Sequence, residues 1–291
     1  MNSFSTGCSF SYDLAGMKNY YQNKTILITG AASGIGRRLA ERFSEFDQTT
    51  LILWDRSRGQ LTELKQRIAD RAAVHTAHID LTDSDHVFLE ADHFIKQNLL
   101  PDIIINCAGV VVGKLFHEHK VEEIRATIEI NTTGSMLVVN AFLSEMMKRK
   151  SGHIVNLGSA SGYIGNPRMS VYAASKWAIL GWTESLRLEM NELKTGIHVT
   201  AVIPSYIKTG MFEGVKAPTL VPLLETEHIT DLILKGVAKG KNEIRAPFMI
   251  HFLPLIKALL PARAFDWIAG NLFGVYRSMD SFEGRKKTTG S

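Results

Sequence analysis

Lys24-Thr-Ile-Leu-Ile-Thr-Gly-Ala-Ala-Ser-Gly-Ile-Gly36 decides the fold. Lys24 to Ile28 reads as a short apolar strand and Thr29 to Gly36 as a glycine turn. Arg37 to Phe46 then carries Leu39, Ala40, Phe43 and Phe46 at helical spacing. Strand, glycine turn and helix in that order form a phosphate-binding arrangement. Gly30 allows the tight turn, Gly34 lets a backbone approach a pyrophosphate, and Gly36 lets the helix pack against the strand. Ser33 and Ile35 lie in the same loop, where free N–H groups at the helix start face the phosphates. The glycine spacing is G-x-x-x-G-x-G, so the arrangement carries the reading and the usual G-x-G-x-x-G text does not.

Outward from the loop, Thr50-Leu-Ile-Leu-Trp54 is a continuous apolar run that ends at Asp55. A carboxylate some twenty residues past a glycine loop accepts both ribose hydroxyls of NAD and repels a 2′-phosphate. Arg56 beside it is a guanidinium able to pair with that phosphate, and Ser33 adds no charge of its own. NAD is therefore the expected cofactor, with NADP as the alternative.

Further along, Tyr172 and Lys176 stand four apart in Tyr-Ala-Ala-Ser-Lys, at the head of a helical pattern running to about Asn191. On a helix they face the same way. A nearby cation stabilises a phenolate, so Lys176 is expected to lower the pKa of Tyr172 and fit it for general acid–base work. Ser159 follows the strand-like run His153 to Leu157, which places its hydroxyl at the carboxyl end of a strand, where ligands bind in open α/β sheets.

These motifs, in this order, resemble the short-chain dehydrogenase/reductase family over roughly residues 22 to 250. The resemblance implies a Rossmann-type doubly wound parallel sheet in one α/β domain. It implies cofactor contacts at Thr29, Gly30, Gly34 and Gly36, at Asp80 and Leu81 beside the adenine, and along the turn Asn106-Cys-Ala108-Gly109. Pro204, Ile207 and Thr209 resemble the segment near the nicotinamide carboxamide. Ser159, Tyr172 and Lys176 take the family's catalytic positions, with Lys176 also reaching the nicotinamide ribose. Asn131 resembles the helix asparagine that relays protons to solvent by holding a water. Two departures stand out: Cys107 replaces an Asn and Ser205 replaces a Gly. The family also pairs helices between subunits, so a homodimer or homotetramer is expected through the helical stretches Val121 to Lys148 and Val171 to Leu193.

The chain has 291 residues, 45% of them hydrophobic, and no repeat or Pro/Gly-rich linker, which suits one domain with a substantial core. A net charge of +4, with one basic cluster at Arg285-Lys-Lys287, gives little support to nucleic-acid binding. Cys8 and Cys107 form no disulfide framework and suit a reducing compartment. No histidine spacing matches a metal site, and His117 and His119 read as solvent-exposed. Residues 1–22 form a polar leader without a signal-peptide core or a spanning stretch, so a cytoplasmic enzyme is expected.

Residues 205–225 read as a substrate loop whose Tyr206, Met211, Phe212, Val215, Leu220, Val221, Leu223 and Leu224 supply an apolar lining. Residues 251–291 begin as an apolar extension broken by Pro254 and Pro261 and end in a polar tail. Two short amphipathic helices there suit either a membrane surface, as a peripheral attachment, or a cover over the active-site mouth or a subunit contact. Leu53-Trp-Asp55 and Ser278-Met-Asp-Ser-Phe-Glu-Gly-Arg285 resemble the retinol and 17β-hydroxysteroid dehydrogenase branch, which implies a hydrophobic alcohol or its carbonyl partner as substrate. Two alternatives remain at this level: an NADPH-dependent carbonyl or 3-oxoacyl reductase, and a lipid-surface or scaffold protein that keeps the fold without turnover.

Overall fold

The computed structural model describes residues 15–219 and 221–284. Leu220, Cys8 and the Arg285-Lys-Lys287 cluster lie outside the described residues. Seven strands form one all-parallel sheet in the order β3-β2-β1-β4-β5-β6-β7. They are β1 (Thr25–Thr29), β2 (Thr50–Asp55), β3 (Ala73–His78), β4 (Ile103–Asn106), β5 (Gly152–Leu157), β6 (Ile197–Pro204) and β7 (Glu243–Ala246). The order reverses between β1 and β4, and that switch point opens a crevice at the strands' carboxyl ends.

The alternation of side chains along each strand divides the core in two. Ile26, Ile28, Leu51, Leu53, Ile103 and Ile105 face one side, where α1 (Gly34–Phe43), α2 (Arg58–Ile68) and α7 (Thr226–Ala238) cover them. Leu27, Ile52, Trp54 and Ile104 face the other, under α3 (Ser84–Lys96), α5 (Gly134–Arg149) and α6 (Ser170–Glu192). The sheet is therefore buried on both faces, as continuous apolar runs such as Thr50 to Trp54 require.

Two boundaries differ from the sequence reading. The end of the polar leader is helical over residues 15–21, and Met17 and Tyr21 belong to the core, with the Tyr21 hydroxyl donating to the Leu234 carbonyl at 2.7 Å. One methionine and one tyrosine in a polar stretch were enough to anchor it. The stretch from Val121 to Lys148 is not one helix: α4 (Val121–Ile128) is separated from α5 by a wide π turn, Glu129–Thr133. That turn carries Asn131. The extension after β7 folds into α8 (Leu253–Leu259) and α9 (Ala262–Trp267), followed by a second π turn, Ile268–Leu272.

Candidate active site

The glycine turn folds as its spacing requires. Gly30 has φ of 66°, and a Cβ there would come within 2.7 Å of the Ala108 Cα, so the β1 and β4 turns touch only because it is glycine. A Cβ on Gly36 would collide with the carbonyl oxygen of Gly30. Thr29 clamps the two turns, its Oγ1 accepting from Cys107 N at 3.1 Å and Ala108 N at 3.3 Å. Ser33 caps α1 in extended conformation without a side-chain cap bond, and the first turn holds no acidic residue. The helix therefore presents its N-terminal amides and positive dipole end to the cleft without an internal counter-charge.

One continuous cleft is lined by Gly30, Ser33, Gly34, Ile35 and Gly36, then by Asp55, Arg56, Asp80 and Leu81, then by Cys107, Ala108 and Gly109. At its far end stand Ser159, Tyr172, Lys176, Pro204, Ile207 and Thr209. Thr29, Asn106 and Asn131 sit behind this wall. Asn106 donates to Asn156 Oδ1 at 2.8 Å and to the Ser135 carbonyl, tying β4 to β5 and α5. Trp54 and Met211, the former unanticipated, also line the cleft.

Asp55 is held from below. Its Oδ2 accepts from Ala32 N at 3.0 Å and its Oδ1 from Ser57 N at 2.9 Å, so two acceptor positions remain for a ligand. Arg56 is exposed at the rim. Asp80 is held below the usual carboxylate range, first by the Thr82 backbone N–H and also by the Thr82 hydroxyl and Arg56.

At the far end, the Ser159 hydroxyl lies close enough to Tyr172 to favour its phenolate. Ser159 also caps the 3-10 turn Ala160–Gly162, its Oγ accepting from Ser161 N at 3.1 Å. Lys176 Nζ donates to the Leu157 carbonyl at 2.7 Å and lies 5.7 Å from the centre of the Tyr172 ring. Asn131 grips the Val110 backbone with both ends of its amide, at 2.7 and 2.9 Å, and donates to Ser175 Oγ at 3.0 Å. A Cβ on Gly109 would stand 3.3 Å from Asn131 Oδ1 and 3.9 Å from Lys176 Nζ, so these two groups flank the same glycine. Both amide protons of Asn131 are consumed by protein, which leaves Oδ1 as its remaining site for water.

The electrostatics differ from the expectation that Lys176 lowers the Tyr172 pKa. Burial pushes the Tyr172 phenol well above 10, against the Ser159 hydrogen bond, and Tyr206 pushes it the same way. Burial also lowers Lys176 to about 8, partly offset by Cys107. Both groups are desolvated together, and burial is the largest cause of each shift. The Cys107 thiol is raised by burial to about 12, which makes it an inert wall of the cleft. Ser205 needs no left-handed backbone; its N–H donates to the Ala246 carbonyl at 2.8 Å.

A second, apolar cavity of about 130 Å³ opens off the cleft and shares Ser159, Ser205 and Phe212 with it. Tyr206, Phe212 and Val221 line it, as expected, and Ile256, Phe265, Ile268, Ala269 and Phe273 of the C-terminal extension close it. Val215 packs instead with Tyr172, and Leu223 lies against the same cluster. Leu224 belongs to the main core and bridges to Ile207, so it is not lining. Its apolar character alone could not separate those roles.

Comparison with known proteins agrees with this geometry. The family model for short chain dehydrogenase matches residues 24–219, and the chain belongs to that family. It is 35% identical over 269 residues to mouse epidermal retinol dehydrogenase 2, covering 91% of this chain and 86% of that protein. It is 31% identical over 240 residues to human estradiol 17-beta-dehydrogenase 11, covering 82% and 79%. A short-chain dehydrogenase from Sphingobium yanoikuyae, solved in complex with NADPH, superposes with a TM-score of 0.71 at 29% identity, over 85% of this chain and 96% of that one. The chain is thus an oxidoreductase of the retinol and 17β-hydroxysteroid dehydrogenase branch, acting on CH–OH groups with a nicotinamide cofactor.

Proposed function

We propose that the protein oxidises a bulky, hydrophobic alcohol, retinol-like or steroid-like, with NAD. The observation that carries this is the junction at Ser159, where the glycine-loop cleft meets a cavity roofed by apolar side chains. The cleft fits a dinucleotide: the uncapped start of α1 suits its pyrophosphate, and Asp55, oriented by Ala32 and Ser57, suits an unphosphorylated ribose. Asp80 and Leu81 flank the adenine end, and Pro204, Ile207 and Thr209 the nicotinamide end. Arg56, at the exposed rim, is the feature that would favour NADP instead.

The bound cofactor supplies a hydride acceptor that is positively charged when oxidised. Ser159 donates a hydrogen bond to the alcohol oxygen and Tyr172 removes its proton. The buried phenol needs help to ionise, and Lys176 is placed to give it. Having given one proton to the Leu157 carbonyl, its ammonium has two left for Tyr172 and for the cofactor ribose. Asn131 Oδ1, beside Lys176 across Gly109, is placed to hold the water through which the proton leaves.

The outer face of the extension supports a peripheral attachment to a lipid surface. Phe248, Leu255, Leu259, Trp267 and Leu272 are all more than half exposed there. Among the described residues no helix is long and apolar enough to cross a membrane. Exposed Val121, Trp177 and Leu188 on α4 and α6 support assembly as a homodimer or homotetramer, which size-exclusion chromatography would overturn by showing only monomer.

The deciding experiment is calorimetric titration with NAD⁺, NADH, NADP⁺ and NADPH, followed by a panel of retinoid, steroid and short-chain alcohols. Tighter binding of the unphosphorylated pair and turnover confined to the bulky alcohols are expected. Preference for NADPH with carbonyl reduction would replace this reading by the reductase alternative.

A further inference from the structure

The segment Ser278-Met-Asp-Ser-Phe-Glu-Gly284 lies far in sequence from Tyr172, yet it is packed against it. Met279 is 1% exposed and shares a small apolar cluster with Tyr172, Met169 and Val215. Beside it, two buried polar groups and the half-buried Tyr206 hydroxyl close on one another. Asn166 Nδ2 donates to the Tyr206 hydroxyl at 2.8 Å and to Ser278 Oγ at 2.9 Å, and Tyr206 and Ser278 lie 2.8 Å apart. The Ser278 hydroxyl also reaches the Val275 carbonyl at 2.7 Å and the Tyr206 hydroxyl reaches Met169 Sδ at 3.5 Å, so the three side chains form one hydrogen-bonded group tied to the tail backbone.

Further contacts bind the tail to the substrate loop. Lys216 N donates to the Ser278 carbonyl and Glu283 N to the Glu213 carbonyl, each at 3.0 Å, while Arg168 pairs with Asp280 at 2.7 Å. The Phe282 ring occupies the space a side chain at Gly113 would need. From the hub, Tyr206 meets Phe212 edge-on at 5.3 Å between ring centres, and Phe212 meets Tyr172 in the same way at 6.1 Å. A small displacement at Ser278 therefore reaches the Tyr172 ring through two rigid aromatic contacts.

We propose that Asn166, Tyr206 and Ser278 are positioning residues, through which the C-terminal segment fixes the substrate loop and, by way of Phe212, the orientation of Tyr172. The proposal rests on the proposed function for its rate prediction, but its structural part does not. Misplacement of a reacting group by 1 Å costs on the order of 100-fold in rate, so loss of one hub bond should cost roughly tenfold.

The test compares Tyr206→Phe, Ser278→Ala and the double variant, each of which deletes only hydroxyl groups. Measured are kcat and KM for a hydrophobic alcohol, NAD⁺ affinity by calorimetry, and hydrogen exchange of residues 205–219. Each single variant should lose roughly tenfold in kcat, with KM within about twofold and NAD⁺ affinity unchanged. The double variant should be no worse than either single one, because both break the same chain of bonds. Exchange of residues 205–219 should speed up in Ser278→Ala. Additive losses, losses that track weakened NAD⁺ binding, or unaltered rates would overturn the proposal. Were the wild-type protein inactive on every alcohol, the proposed activity would fall, and the exchange data alone would decide the hub.

Discussion

The two hollows that meet at Ser159 are made of different material. The glycine-loop cleft is shaped largely by main chain: Gly30 against Ala108, Gly36 under the Gly30 carbonyl, and amides that hold Asp55 from beneath. The apolar cavity is shaped by side chains drawn from the substrate loop and from two short helices with a π turn between residues 253 and 272. A wall of backbone tolerates no added atom, whereas a wall of flexible apolar side chains yields and reshapes. The first hollow should fail abruptly on substitution and the second by degrees.

Gly36→Val breaks the comparison most severely. Its added carbons have nowhere to go but the Gly30 carbonyl, so unfolding free energy should drop by about 3 kcal/mol and the heat of NAD⁺ titration should vanish. A tolerated valine with intact cofactor binding would show that the turn is less rigid than its geometry.

Acid should weaken the sheet on which both hollows hang. His153 on β5 is bonded to the Tyr20 hydroxyl at 2.9 Å and to Thr200 at 2.7 Å, and burial, then His198, lowers it from 6.5 to about 3. Between those values the unfolded chain binds a proton that the folded one refuses, so stability is full above 6.5 and declines as pH falls toward 3. Urea midpoints should therefore show a loss of up to about 2 kcal/mol between pH 7.5 and about pH 5, and His153→Gln should flatten that slope.

Asp55→Ala keeps the fold and tests the polar end of the cleft. NAD⁺ should bind about tenfold more weakly while NADP⁺ gains relative to it, as calorimetry would show. Ala269→Leu probes the other hollow by filling it from the extension side. KM for a steroid-sized alcohol should rise about five- to tenfold, with NAD⁺ affinity and turnover of a short alcohol unchanged. The smallest effect on stability belongs to the outer face: Leu259→Ser, at a side chain 73% exposed, should alter unfolding by less than about 0.5 kcal/mol yet reduce sedimentation with phospholipid vesicles.

The same contrast explains what could be read from the sequence. The glycine loop, Asp55 and the pair Tyr172 and Lys176 were legible because main-chain geometry and helical spacing leave fixed signatures, and the structure gathers them along one cleft. The cavity showed only as apolar content, which could not separate Phe212, a lining residue, from Leu224, a core one. The π turn under Asn131 and the hub of Asn166, Tyr206 and Ser278 left no periodic trace, since they join residues as much as 112 positions apart. The electrostatics of Tyr172 were misjudged because spacing reveals a neighbouring cation but not burial, which is the largest cause of its shift.

The most direct test of hydride-transfer chemistry at this junction is Tyr172→Phe, assayed for NADH formation from a bulky hydrophobic alcohol alongside NAD⁺ titration. The expected result is unchanged cofactor affinity with kcat reduced by about 10²- to 10⁴-fold, the range of a lost general base. Turnover equal to that of the wild-type protein would contradict the assignment of Tyr172 and, with it, the mechanism.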